Sequence, residues 1–412
     1  MQPILPTREQ LKFLDWEIGV FFHFGIRTFY EGRKDWDKKP MDAAAFCPSQ
    51  LDCRQWVQAA KAGGARYCVL TAKHHDGFAL WQSKHTDYGV MSAPWKGGKG
   101  DVVREFTDAC RAEGLGVGLY YSPAQVGAAM DSRAYDDYFI AQITELLTGY
   151  GVIDYLWFDG CGSEGHTYDR KRIVDTIRRL QPHILLFELW DPDTRWVGNE
   201  EGVAPLDATY TVTLPADAVC TGERTRFLPY ECDCRIRPDN WFWSRKDADT
   251  LRTAENLTAL YLLSVGRGGN LLLNIGPDDR GLIPERDAAV FAAFGAQIRQ
   301  LFAKPLPLRR TRHKNALTLH ADTPLTVSMI ELQEDLRHGE RAGAFAVYYQ
   351  DRGTNILLCQ GSTVGHRRIL QFPQVLLGGP RALEIVFTQP LSRTLPDVRC
   401  FDPRYLYKTG KV

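Results

Sequence analysis

Ala134-Tyr-Asp-Asp-Tyr-Phe-Ile-Ala-Gln-Ile-Thr-Glu-Leu-Leu-Thr-Gly-Tyr150, followed closely by Asp154-Tyr-Leu-Trp-Phe158, decides the fold class of this chain. In the first run Phe139, Ile143, Leu146 and Leu147 share one face at helical spacing. The second run is apolar without alternation, as in a strand buried on both sides. The same couplet recurs on either side of it. Strands are expected at Ile18–His23, Tyr67–Ala72, Gly116–Tyr121, Asp154–Phe158, Ile184–Glu188 and Asn270–Ile275. Helices are expected at Asp52–Gly63, Asp101–Gly114, Ala134–Tyr150, Tyr168–Gln181, Asp247–Val265 and Glu285–Phe302. Alternation of this kind over some 300 residues predicts an α/β fold, a (β/α)8-like barrel. The pattern loosens between Asp191 and Asn240, where one or two barrel units are expected to be degraded.

Beyond the barrel the grammar changes. Residues 306–314 are basic and proline-punctuated and read as a linker. From Asn315 six short runs (Leu317–His320, Thr326–Leu332, Ala344–Tyr349, Ile356–Cys359, Ile369–Phe372 and Ala382–Phe387) predict a small antiparallel β-sandwich over 315–412. The catalytic unit is then residues 1–305.

Composition bounds the function. The 412 residues are 44% hydrophobic and 24% charged, and 50 basic side chains balance 50 acidic ones. That excludes a disordered chain and disfavours a polyanion binder, so no nucleic-acid partner is expected. The best apolar stretch, Leu257–Gly266, falls short of the ~20 residues of a membrane span, so no membrane partner is expected either. No signal peptide is visible at the start. The ten cysteines are scattered, and Cys232-Asp-Cys234 is not a zinc half-site, so structural thiols and a cytoplasmic location are expected. Oligomeric state is not legible. All ten tryptophans lie between Trp16 and Trp243, so the tail reads as support for the barrel.

Barrels carry their chemistry at the C-terminal ends of the strands. Here those ends read Phe22-His23-Phe24-Gly25, Lys73-His74-His75-Asp76-Gly77-Phe78, Tyr120-Tyr121-Ser122, Trp157-Phe158-Asp159-Gly160 and Glu188-Leu189-Trp190-Asp191. Histidines and an aspartate could hold a metal, but neither HxH nor HExxH occurs. Adjacent His74 and His75 on a strand end are expected to point to opposite sides. Aromatic groups crowd the same rim: Trp36, Trp81, Tyr120, Trp157, Trp190, Trp196, Trp241 and Trp243. Rings offer a platform to the C–H face of a sugar, and His and Asp bind its hydroxyls. A sugar site without metal or cofactor is the favoured reading.

These stretches resemble the α-L-fucosidases of glycoside hydrolase family 29. The resemblance rests on His23-Phe24-Gly25, Lys73–Phe78, Gly118–Ser122, Leu156–Gly160, Arg195-Trp-Val-Gly-Asn-Glu200, Glu231-Cys-Asp233, Ile236–Trp243 and Ser264–Asn274, in that order. It implies a retaining mechanism with two carboxylates acting on terminal fucose of a glycan. Asp159 matches the nucleophile. His23, His74, His75, Tyr120, Trp157 and Trp241 match sugar-binding positions, as do Asp35 and Trp36, where the family commonly has Glu-Trp. Glu200 matches the acid/base of the branch cleaving α-1,3/1,4 linkages, with Glu201, Glu231 and Glu188 as rivals. The alternatives are a fucose-binding barrel without activity, or a fucosidase acting mainly on α-1,2/1,6 or aryl fucosides.

Overall fold

The computed structural model describes residues 4–30, 37, 39–124, 131–160, 165–216, 218–220, 222–391 and 396–403. Eight parallel strands form the first sheet. They are β1 (Ile18–Phe22), β2 (Tyr67–Lys73), β3 (Gly116–Tyr121), β4 (Tyr155–Phe158), β5 (Leu185–Phe187), β6 (Arg195–Trp196), β9 (Tyr230–Arg235) and β10 (Asn270–Asn274). The order β5-β4-β3-β2-β1-β10-β9-β6 and a parallel bridge from Phe187 to Thr194 bring the two edges together in a nearly closed barrel. Between β6 and β9 lies an antiparallel hairpin, β7 (Thr211–Thr213) with β8 (Thr225–Phe227).

Period-two alternation sorts each strand. Val20 and Phe22, Cys68 and Leu70, Leu119 and Tyr121, Leu156 and Phe158 face the helices. Phe21, Tyr67, Val69, Tyr120, Tyr155, Trp157 and Leu272 fill the interior. Bulky rings fit there because some inward positions are glycine. A methyl group on Gly19 would lie 2.3 Å from the Tyr67 ring. Below, the helix α1 (Arg8–Trp16) pushes Phe13 against Tyr67 and Tyr155 and so plugs the barrel floor.

The helices are unevenly distributed. On one side α2 (Cys53–Ala62), α3 (Val102–Glu113), α4 (Ser132–Gly149) and α5 (Arg170–Leu180) follow β1 to β4. The helices α6 (Ala254–Ser264) and α7 (Glu285–Phe302) follow β9 and β10. No helix is assigned after β5 or β6 among the described residues, which is where the sequence loosens. Buried ion pairs there stand beside a separate apolar cluster that includes Val197, Ala204, Tyr210, Phe227 and Tyr230. Asp191, fully buried, takes Arg178 on one oxygen and Arg226 on the other, the latter at 2.8 Å, and Arg178 also reaches Asp193. Gln10 of α1 bonds the backbone carbonyls of Asp193 and Phe227. No helix among the described residues is long and apolar enough to cross a membrane.

The C-terminal part is two antiparallel sheets over a common apolar core. One, in the order β11-β12-β17-β14-β15, comprises β11 (Arg309–Arg312), β12 (Ala316–His320), β14 (Phe345–Asp351), β15 (Thr354–Gly361) and β17 (Ala382–Phe387). The other, in the order β16-β13-β18, comprises β13 (Leu325–Gln333), β16 (Arg368–Leu377) and β18 (Asp397–Phe401). The six expected runs are all strands. Two more are present, and β11 lies inside the stretch 306–314 that reads as a linker. It is an edge strand paired only with β12, and edge strands carry charge that blocks further pairing, so a basic sequence is compatible with a strand there. Arg367 ties these sheets to the barrel. It donates to Glu17 before β1, to Tyr261 of α6 and to the fully buried Glu331 of β13.

Candidate active site

The inward positions of β4 run Tyr155, Trp157, Asp159, so alternation lifts a carboxylate to the barrel mouth one residue past the strand. Asp159 keeps 23% of its side chain open. The Tyr120 hydroxyl donates to its Oδ2 at 2.9 Å, and His75 Nε2 stands 3.5 Å from the same oxygen. Ser122 Oγ lies 2.6 Å from His75 Nδ1. That hydroxyl donates to the Ala124 carbonyl at 3.1 Å, which fixes it beside the His75 ring.

His23 and His74 complete the cluster. The His23 ring is 5.9 Å from His74, 6.0 Å from Tyr120 and 4.8 Å from Trp241. Its Nδ1 donates to Asn274 Oδ1 at 2.8 Å, which leaves Nε2 as the free acceptor. Asn274, at the end of β10, spends its amide on the Trp241 carbonyl at 2.7 Å and so fixes two groups of the cluster. Burial holds the His23 pKa down to about 3, with His75 and Arg235 pushing the same way, so the ring is neutral. Burial likewise lowers His74 well below the usual histidine range, again helped by His75 and His23. Neutral imidazoles offer both a donor and an acceptor, which suits hydroxyl groups better than a charged ligand.

His74 and His75 do not point to opposite sides as expected. Their rings are 4.2 Å apart; His74 stacks on Tyr120 at 14°, and His75 faces Asp159. The strand ends at Lys73, after a register shift between Thr71 and Lys73, and His74 opens a turn closed by the Gly77 N–H. Strand alternation does not govern a turn.

The rivals for the second carboxylate separate by depth. Glu231, Asp233 and Arg235 of β9 occupy alternate positions. Glu231 is fully buried below the mouth and accepts from Tyr67, from Tyr155 at 3.2 Å and from Trp157 Nε1 at 2.9 Å. Burial raises its pKa to about 8. It is a core group of the barrel. Glu188 accepts the Trp196 backbone N–H at 2.7 Å. Glu188 and Trp190 both have positive φ (58° and 66°), a strained path for side chains of this size.

Glu200 and Glu201 sit on a loop strapped to β9. Val197 N–H bonds the Glu231 carbonyl and Gly202 N–H the Asp233 carbonyl. Gly202 has φ +74°, and a Cβ there would meet Cys234 Sγ at 2.7 Å. Glu200 lies 3.5 Å from Arg235 Nη1, and the Arg235 guanidinium covers the Trp241 ring at 5.0 Å. Glu201 is exposed, as is Glu200, so the Arg235 contact is what sets Glu200 apart.

Asp233 is a site residue that the sequence reading passed over. It is 3% exposed and accepts Trp196 Nε1 at 2.7 Å. Burial raises its pKa to about 7, and the charges of Glu200 and Asp159 push it further up. That mutual influence links the β4 and β9 sides of the mouth. The signal was available, since Asp233 is two residues from Glu231 on an inward-facing strand. Ser122 and Asn274 were likewise quoted in motifs without a role.

Other expected positions are elsewhere. Asp35 and Trp36 lie outside the described residues. Trp81 is not on the rim: it is buried outside the barrel and donates to Glu145 of α4 at 2.9 Å. Trp190 packs behind β4 against Phe139, Phe158 and Tyr168, and Trp243 lies under Arg245.

Comparison with known proteins gives one consistent result. Residues 7–300 match the family model described as alpha-L-fucosidase. Alpha-L-fucosidase 1 of Arabidopsis thaliana is 32% identical over 96% of this chain and 86% of its own length. A glycoside hydrolase 29 family member from an unknown rumen bacterium is 31% identical, with a TM-score of 0.87 over 97% of this chain and 78% of the other. A Ruminococcus gnavus GH29 fucosidase solved with fucose shares the fold at 23% identity, with a TM-score of 0.85 over 98% and 96% of the two chains.

Proposed function

The chain belongs to the alpha-L-fucosidase family, a family of glycoside hydrolases, and from that premise we propose a retaining cleavage of terminal α-L-fucose with Asp159 as nucleophile. One observation carries the reading. Asp159 is a partly open carboxylate set among neutral histidines and aromatic rings at a strand end, with one oxygen held by Tyr120.

In the first step Asp159 attacks the anomeric carbon while the bond to the leaving oxygen breaks. Glu200 gives its proton to that oxygen, so the glycan leaves as an alcohol and fucose remains as an ester of Asp159. In the second step Glu200 takes a proton from water, whose oxygen attacks the same carbon and frees Asp159. Two inversions return the α anomer. The Tyr120 hydroxyl and His75 hold Asp159 in position and spread its charge. His23 and His74 meet the sugar hydroxyls, and Trp241 offers its face to the fucose methyl.

Glu200 is preferred over its rivals because Glu231 is committed to three donors beneath the site. The strapped loop also holds Glu200 within electrostatic reach of Asp233, which in turn senses Asp159. The substrate is a fucosylated glycan, with α-1,3/1,4 linkages of branched, Lewis-type chains preferred. That preference rests on Arg195-Trp-Val-Gly-Asn-Glu200.

Proton NMR of the first product formed tests the stereochemistry. α-Fucose appearing before mutarotation supports the reading, and β-fucose first overturns it. A 2-fluoro fucosyl fluoride is expected to label Asp159 in a peptide map; a label elsewhere reassigns the nucleophile. A panel of linkage-defined glycans reads the preference directly, and faster release from α-1,2 or α-1,6 linkages would overturn it.

A further inference from the structure

Trp196 is the most exposed tryptophan among the described residues, with 36% of its surface open, yet it is held firmly. It ends β6, where its backbone pairs with β9 opposite Glu231. Its backbone N–H is fixed by Glu188 at 2.7 Å and its indole N–H by Asp233 at 2.7 Å. Asp233 is buried and faces inward, so it pulls the polar edge of the indole toward the barrel mouth. An apolar ring held by its indole N–H on a fixed backbone, and left uncovered, has already lost rotamer freedom. It can therefore bind a flat apolar surface at little further entropic cost.

The position of the ring says which surface. The fucose pocket proposed above is built from Tyr120 on β3 and from His23, His74, His75 and Trp241 in segments that follow β1, β2 and β9, none of them on β6. Trp196 stands four residues before Glu200, whose proton must reach the oxygen between fucose and the next sugar. What lies beyond that oxygen is the leaving group.

We propose that the face of Trp196 is the platform for the pyranose ring of the leaving group, and that Asp233 is a positioning residue acting through the indole N–H. This deepens the fucosidase reading and rests on it. The ligand class is a pyranoside that presents an apolar C–H face, such as an N-acetylhexosamine bearing the fucose.

Two substrates separate the leaving-group site from the fucose site. α-L-Fucosyl fluoride carries no second sugar, whereas fucosyl-α-1,4-N-acetylglucosamine does. The readout is the ratio of kcat/KM for the disaccharide to that for the fluoride. Trp196→Ala is expected to lower this ratio about tenfold or more, and Trp196→Phe, which keeps a ring, by about threefold or less. Asp233→Leu removes the acceptor and is expected to lower the ratio as Trp196→Ala does. Asp233→Asn keeps an acceptor oxygen and is expected to restore it. Should Trp196→Ala not fold, Trp196→Leu and Asp233→Leu read the same ratio.

Equal loss on both substrates, or an unchanged ratio in Trp196→Ala or Trp196→Leu, would overturn the platform. A ratio lost equally in Asp233→Asn and Asp233→Leu would overturn the positioning role. Failure of the wild-type protein to turn over either substrate would instead remove the fucosidase reading, which keeps the two failures distinct.

Discussion

The two halves of the barrel solve the same packing problem with different materials. From β1 to β4 each strand is followed by a helix whose apolar face lies on it, as Phe139, Ile143, Leu146 and Leu147 do in α4. After β5 and β6 no such helix is assigned among the described residues, and Asp191, Arg178, Arg226 and Gln10 add ion pairs and hydrogen bonds to an apolar cluster around Tyr210, Phe227 and Tyr230. The regular half carries His23, His74, His75, Tyr120 and Asp159, a compact set suited to one small sugar. The irregular half carries Glu200, Asp233 and Trp196 on short, strapped segments. A constant task suits a rigid repeat, and a task that varies with the leaving group suits a part of the fold free of helices.

Removing the proposed nucleophile separates the halves most sharply. Asp159→Ala is expected to lower kcat about 10⁴-fold or more on every fucoside, with the thermal midpoint little changed. Azide added to this variant is expected to give β-fucosyl azide, seen by NMR. Wild-type turnover in the variant would place the nucleophile elsewhere.

Glu200→Ala tests the other half and should depend on what leaves. A loss of about 10²–10³-fold is expected on a sugar leaving group, and far less on fucosyl fluoride, which needs no proton. Azide is expected to restore turnover of an activated fucoside and yield the α-azide. Absence of rescue would move the role to Glu201.

Stability gives a third contrast. Asp191→Ala leaves Arg226 without its buried carboxylate and Arg178 with Asp193 as its remaining one, and is expected to cost about 3 kcal/mol in urea unfolding. Ile143→Val in the regular half is expected to cost only about 1 kcal/mol. Equal costs would mean that the ion pairs do not replace the missing helices.

The smallest effect concerns pH. Burial raises the Glu231 carboxyl from its unfolded value near 4.5 to about 8, so the folded state holds a proton that the unfolded state has lost in that window. Its contribution is therefore full at acid pH and lost as pH rises through about 8. Glu231→Gln is expected to flatten the fall in melting temperature between pH 5 and 8. An unchanged slope would show that Glu231 is charged in the folded protein.

The same contrast explains what the sequence made legible. Apolar periodicity marks β1 to β4 and their helices because burial there is apolar on both sides. The strand β6 has only two residues, and its neighbours are charged or proline-flanked, so no period can show it. His23, Asp159 and Trp241 are visible as polar or aromatic residues placed by a motif. Asn274 and Asp233 act through partners distant in sequence, His23 and Trp196, and only the folded register reveals those pairs. His74 and His75 were misread because a strand rule was extended past the bulge into a turn.

Arg367 bears on the order in which the chain is made. It meets Glu17 across 350 positions, and Glu17 also accepts from Tyr261. At roughly 5–20 residues per second a ribosome delivers Arg367 some 20–70 s after Glu17. Throughout that interval the acidic residue at the foot of the first strand has no guanidinium to meet. The barrel segments therefore leave the ribosome before this latch exists, and the contact between the two parts closes only once Arg367 has been made.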